Sequence, residues 1–166
     1  MDEVSGVDIE VRRLKGMSES EACARMMAES EPWITLERGY DDSLEIIADP
    51  SREVYLAAIG DEIAGFVVLE MSGAFVGYVK SICVSPVWRG KGVGGRLMAF
   101  AEERIFSEAP NVFLCVSDFN EGARRFYERL GYEVVGELRD YIVPRRSEML
   151  MRKSIAPLVR FPKDDP

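Results

Sequence analysis

Apolar and polar positions along the chain change period several times, and each change marks an element. Val7 to Leu14, VDIEVRRL, alternates apolar with polar, which predicts a half-buried strand. Ser18 followed by Glu21 reads as a capping box, predicting a helix to about Glu31, before Pro32. DDSLEIIADP predicts a second, short helix ending before Pro50. EVYLAAI and EIAGFVVLEM flank a Gly60-Asp61 turn and predict a hairpin. A further strand is predicted from Tyr78 to Val84, stopped by Pro86. Val93, Leu97, Phe100, Ala101 and Ile105 then recur at helical spacing and form a core stripe. NVFLCVS, a continuous apolar run, predicts a central strand. In NEGARRFYERLG, Asn120 can cap a helix whose Ala123, Phe126, Tyr127 and Leu130 share one face, with Gly131 as its stop. YEVVGEL and SEMLMRKSI supply two last strands, and the tail of about 157–166 has little to pack. This order predicts one α/β domain over 1–166, a mixed sheet with helices on both faces.

Composition narrows the chemistry. The 166 residues contain no histidine, so histidine triads, histidine zinc ligands and histidine acid–base catalysis are excluded. The three cysteines, Cys23, Cys83 and Cys115, are too scattered for a thiolate metal site or a disulfide framework. Cys83 and Cys115 sit in apolar runs and read as inert core thiols. A reducing cytoplasm is expected, since the acidic N-terminus lacks an apolar export region. No apolar run reaches the roughly 18 residues of a membrane helix, so no membrane partner is expected. The net charge of −8 argues against nucleic acid as a partner. It suits a cationic substrate, or simply solubility.

The most informative stretch is SPVWRGKGVGGRL, with four glycines between Gly90 and Gly95. Glycines at the mouth of a helix let an anion approach backbone N–H groups. A phosphate loop of the GxxxxGK[ST] type is excluded, because Gly92 follows Lys91. A dinucleotide fingerprint matches Gly90, Gly92 and Gly95, with Asp118 near the acidic position. However, only one strand–helix–strand unit surrounds it. The third pattern, R/Q-x-x-G-x-G/A, takes in Arg89 to Gly94. With the preceding SICVSP and the following CVSDFNEGARRFYERLGYEVVGE, the sequence resembles the GNAT superfamily of N-acetyltransferases. Matching features run through a core of about 53–153.

The resemblance implies a single-domain GNAT-like fold: a mixed, mostly antiparallel central sheet of six to seven strands with helices on both faces. It implies acetyl-CoA as cofactor. The backbone from Arg89 through Gly90, Lys91, Gly92, Val93 and Gly94 would hold the pyrophosphate, with Gly95 and Arg96 beside it. Ile82, Cys83 and Val84 would pair with the pantetheine arm, and the Val84 N–H would be the oxyanion donor. Asn120 either bonds that arm or only caps its helix, and Phe126 lies alongside. Helix spacing alone makes Tyr127 a core residue; the resemblance makes it the general acid for the leaving thiolate, whose pKa of about 8.5 lies below that of tyrosine.

The general base is not assigned by the resemblance. A glutamate of the ribosomal-protein N-terminal branch falls at Cys115, and that of the histone-type branch falls near Tyr78. Glu70 is the candidate from strand alternation, against a plain solvated strand-end carboxylate or a water relay. Trp33, Tyr40 and Tyr141 are candidate substrate-binding residues, with Glu31 or Glu37 for an ammonium. No metal is expected. The implied reaction is direct transfer of acetyl to a primary amine of a small molecule or a peptide, without an acyl-enzyme. A non-catalytic acyl-CoA sensor is the alternative, and edge strands leave room for a homodimer.

Overall fold

In the computed structural model, which describes residues 6–161, the chain forms one seven-stranded sheet flanked by four α-helices. The strands are β1 (Glu10–Arg13), β2 (Glu53–Ile59), β3 (Glu62–Glu70), β4 (Tyr78–Val84), β5 (Asn111–Ser117), β6 (Glu133–Arg139) and β7 (Ser147–Ser154). The helices are α1 (Gly16–Ala28), α2 (Tyr40–Ala48), α3 (Val93–Phe106) and α4 (Glu121–Arg129). The spatial order is β1-β2-β3-β4-β5-β7-β6. Every neighbouring pair is antiparallel except β4–β5. The element order matches the sequence pattern. Part of the 157–166 tail lies outside the described residues.

Strand alternation splits the apolar residues between two cores. Val54, Leu56, Phe66, Val68 and Cys83 face α1 and α2, where Cys23, Met27, Ile46 and Ile47 meet them. Val67, Leu69, Val79, Leu114 and Val116 face α3 and α4. On α3 the buried stripe is Val93, Leu97, Met98, Ala101 and Ile105. Phe100 is half-buried and stacks on Tyr55 at 4.7 Å. The far end of α3 is fixed to the sheet by Arg104, which donates to both Glu53 oxygens at 2.7 and 2.9 Å.

Helix ends follow local chemistry, not always the expected residue. The capping box at Ser18 does not form: the N-cap of α1 lies three residues earlier, at Lys15, and Ser18 lies inside the helix. The Glu19 carboxylate instead accepts the Lys15 N–H at 2.7 Å and is gripped by Arg12 at 2.6 and 3.1 Å. This partner from β1 draws the helix start back. The helix also ends at Ala28, short of Glu31. On α4, Asn120 Oδ1 accepts the Ala123 N–H at 3.3 Å. Gly131, at φ +95°, closes the helix through bonds from Gly131 N to Glu128 O and Tyr132 N to Tyr127 O.

The β4–β5 pair is the irregular part of the sheet. Its parallel register holds only at Tyr78↔Phe113 and Val79↔Leu114. Below that point Gly77 clamps the strands, its N–H donating to Glu70 O and its C=O accepting from Phe113 N. Above it the β3–β4 register jumps from Leu69↔Val79 to Val68↔Ser81, so Lys80 is an extra residue in β4. A bulge bends its strand, and here the bend carries β4 away from β5. NVFLCVS is therefore not buried on both faces. Val112, Leu114 and Val116 are buried, while Phe113 is half-buried, as is Cys115 beside the opening.

Gly77 should be the least replaceable residue of this junction. A Cβ there would lie 2.5 Å from Asn111 O and from Ile105 Cγ2, at φ +87°. Gly77→Ala is expected to lower the unfolding free energy by about 3 kcal/mol in denaturant titrations. Gly90→Ala, in open space, should cost about 1 kcal/mol from its left-handed backbone alone.

Candidate active site

The divergence of β4 and β5 opens a cleft of about 1300 Å³ that reaches both faces of the sheet. Backbone groups line one wall. Ser85 N–H donates back to Ala64 O on β3 at 2.8 Å. Because successive strand amides alternate in direction, Cys83 turns the same way, and Ile82 and Val84 turn their N–H and C=O toward the opening. The Val84 C=O accepts from Arg89 Nε at 3.1 Å, as that direction requires.

The glycine loop forms the end of the cleft on the α3 side. Gly90 and Gly92 hold φ +72° and +84°, and Gly92 caps α3. The first bond into the helix runs from Arg96 N to Gly92 O. Among the described residues, the N–H groups from Gly90 to Gly95 meet no backbone acceptor, whereas Arg89 N–H is used by Pro86 O. These amides, with the helix dipole behind them, form an anion cradle. Gly94 packs the loop between β4 and α4: a Cβ there would touch Phe126 Cζ at 3.6 Å and Val84 Cγ2 at 3.7 Å.

Most residues singled out in the sequence line this cleft: Ile82, Cys83, Val84, Arg89, Gly90, Gly92, Val93, Gly94, Gly95, Asn120, Phe126 and Tyr127, with Glu70, Trp33 and Tyr141. Lys91 does not: its Nζ donates to Val87 O at 3.1 Å and sits over the Trp88 ring. Arg96 is exposed on α3 and outside the cleft lining. Tyr40 packs against the core under α1 and α2, outside the cleft. Trp33 shows the cleft only its edge, being 8% exposed in that same core. The Arg89 guanidinium also reaches Ser30 Oγ at 3.4 Å, tying the loop to the end of α1.

Tyr127 is 6% exposed, packed between Phe126 and Tyr132. Its hydroxyl makes no hydrogen bond to another described residue, and burial pushes the phenol above its usual range. It stays protonated and able to donate. Glu70 sits at the cleft wall, but Arg52 Nε donates to it at 2.9 Å. Of the two acidic residues suggested for an ammonium, Glu31 accepts from the N–H and hydroxyl of Thr35, and Glu37 is exposed at φ +56°.

The cleft also contains residues that sequence reasoning missed. Tyr78, Lys80, Cys115, Ser117, Arg38 and Glu148 line the opening on the α1–α2 side. Cys115 is thus a cleft residue, not a core one; burial and the nearby Glu148 charge outweigh the Tyr78 hydroxyl and raise its thiol pKa. Glu148 is 4% exposed and accepts a short hydrogen bond from Ser117 Oγ, its register partner across β5–β7. Burial raises its pKa, opposed by the Ser117 bond. The turn before β7 is held by Ser147 N to Asp118 Oδ2 and Asp118 N to Ser147 O, both 2.9 Å. Alternation gave no signal for Glu148: the two buried residues of SEMLMRKS, Glu148 and Met151, fall on opposite faces of the strand.

The Acetyltransferase (GNAT) family model matches residues 19–132. Blasticidin-S acetyltransferase of Streptomyces morookaense is 32% identical over 91 residues, 51% of this chain and 67% of that protein. A GNAT-family protein from Desulfovibrio desulfuricans superposes with a TM-score of 0.76 at 21% identity, over 90% of this chain and 100% of the other. An aminoglycoside 6'-N-acetyltransferase complexed with coenzyme A superposes with a TM-score of 0.72 at 20% identity, over 89% and 98%. The chain belongs to the GNAT acetyltransferase family, with the fold of that family, and acetyl-CoA is its acyl donor. Unpartnered amides at the glycine loop and an unpaired edge on β4 fit that molecule.

Glu148 has a pH signature. A carboxyl whose pKa is raised by folding binds its proton more tightly in the folded state, so stability falls as pH rises from the unfolded value to the raised one. Glu148→Gln removes this loss. The melting temperature of the variant relative to wild type is expected to climb across that interval and level off above it. A pH-independent difference in thermal melts would contradict this.

Proposed function

We propose that this acetyltransferase transfers acetyl to a primary amine of a small molecule by direct attack, with donor and acceptor bound together in the β4–β5 fork. One observation carries the reading: the fork is open on both sheet faces, with the anion cradle and Tyr127 toward α3–α4 and a polar pocket toward α1–α2. Acetyl-CoA supplies the activated acyl group. The N–H groups from Gly90 to Gly95 hold its pyrophosphate, and Ile82 and Val84 hold its arm along the open edge, with Asn120 and Phe126 alongside. The described residues act as one domain.

The chain's own groups then divide the work. Val84 N–H, aimed into the fork, faces the oxygen on which negative charge develops. Tyr127 donates its proton to the departing sulfur as the C–S bond breaks and the C–N bond forms. The proton lost by the amine leaves on the α1–α2 side, where Glu148 is better placed than Glu70, which Arg52 already holds. Direct attack is supported by the thiols. Burial pushes Cys23 up to about 12 and Cys83 up to about 11, and Cys115 is raised as well. No thiolate nucleophile is stabilised among them. The likeness to blasticidin-S acetyltransferase supports a small-molecule acceptor.

The test is Tyr127→Phe. Coenzyme A affinity by calorimetry is expected to stay within about twofold, because the ring packing remains. Turnover on an acetylated amine identified by mass spectrometry is expected to fall about a hundredfold or more. Unchanged turnover would overturn the role of Tyr127.

A further inference from the structure

We infer that the acceptor is an amine that also carries an anionic group, its ammonium drawn to Glu148 and its anion to Lys80 and Arg38. This inference rests on the proposed acetyl transfer and names the class of amine that the same cleft takes.

Sheet parity places the charges together. Leu69, Val79, Leu114 and Val116 point to α3–α4. Glu70 and Cys115, one step away in the strand, therefore point to the α1–α2 side, and Ser117 and Glu148, paired across β5–β7, share that face. The bulge inserts Lys80 at the point where the fork opens. Arg38 comes from the segment between α1 and α2 and lines the same space. Its charge acts on both Lys80 and Glu148.

What matters is which of these charges already has a partner. Glu70 is taken by Arg52, and Glu31 by Thr35. Among the described residues, Lys80 and Arg38 form no ion pair, and neither side chain makes a hydrogen bond. Among the described residues, Glu148 has the Ser117 hydroxyl but no cation within ion-pair distance. A half-buried ammonium loses hydration, and burial lowers the Lys80 pKa accordingly. Leaving two cations and one carboxylate unpaired in one cleft is costly unless a ligand completes them.

The pattern selects among amines. A polycation would gain Glu148 but set its remaining charges against Lys80 and Arg38. A monoamine without an anionic group would leave both cations unmatched. An amine with a carboxylate or phosphate a few bonds away satisfies all three, and Phe75 and Tyr141 at the rim offer apolar walls for the rest.

Matched acceptors test this on the intact protein with acetyl-CoA. Lysine is compared with cadaverine and phosphoethanolamine with ethanolamine, with spermidine and a neutral N-terminal peptide amide alongside. Coenzyme A release and product mass are measured. The member of at least one pair that carries the anionic group is expected to exceed its counterpart without one in kcat/KM by roughly tenfold to a hundredfold, the worth of a hydrogen-bonded charge. Which pair shows it separates carboxylate from phosphate. Lys80→Met and Arg38→Gln should bring that ratio toward one, and unchanged coenzyme A affinity shows that they fold. Glu148→Gln should slow both members alike.

Equal or faster transfer to cadaverine, ethanolamine or spermidine overturns the acceptor class and leaves acetyl transfer standing. A preference that survives both Lys80→Met and Arg38→Gln overturns the role of those cations. No transfer to any amine of the panel, with coenzyme A bound, overturns the acceptor class and the proposed amine transfer together.

Discussion

The site depends on a parallel strand pair that is allowed to form over only two registers. Gly77 ties β4 to β5 so closely that a Cβ would strike the Asn111 carbonyl. Three residues later the extra residue Lys80 bends β4 away. Between clamp and bulge the sheet changes from a continuous surface into a fork. The cost is a row of backbone groups on β4 without a strand partner. In a closed sheet such groups would be satisfied at once; here they remain for a ligand.

The fork also gives one sheet two differently lined openings. Strand alternation gives each face its own residues, so the chemistry of the two sides can differ without interference. Toward α3 and α4 stand unpartnered amides at a helix N-terminus and a buried, protonated Tyr127. Toward α1 and α2 stand Lys80, Arg38 and Glu148, which are charged or chargeable and only partly satisfied. The gap that the bulge opens joins the two faces. Anchors elsewhere serve this gap at a distance: Arg104 on Glu53 seats α3, and Asp118 on Ser147 seats the turn that carries Glu148.

Local patterns in the sequence carried the α3–α4 side of the cleft well. The glycine loop, the Asn120 cap, the Gly131 stop and the Tyr127 face each depend on residues within a few positions of one another. Element order was legible for the same reason. The α1–α2 side was not. Lys80 gains its meaning from a register jump against β3, and Glu148 from pairing with Ser117 across a strand 31 positions away. Residue type and nearness to a motif do not fix side-chain direction. Lys91 folds back over Trp88, and Tyr40 turns into a core. Glu70 pointed to the expected face but met Arg52 there, a pairing over 18 residues that alternation does not reveal.

Amide hydrogen exchange with and without coenzyme A tests the fork most directly. Bound coenzyme A should slow exchange at Ile82 and Val84 and across Gly90 to Gly95. Cys83, whose N–H turns toward β3, should change little. Protection that falls equally on Cys83, or that spares Val84 and the glycine loop while coenzyme A is bound, would contradict the claim that the open edge of β4 holds the donor.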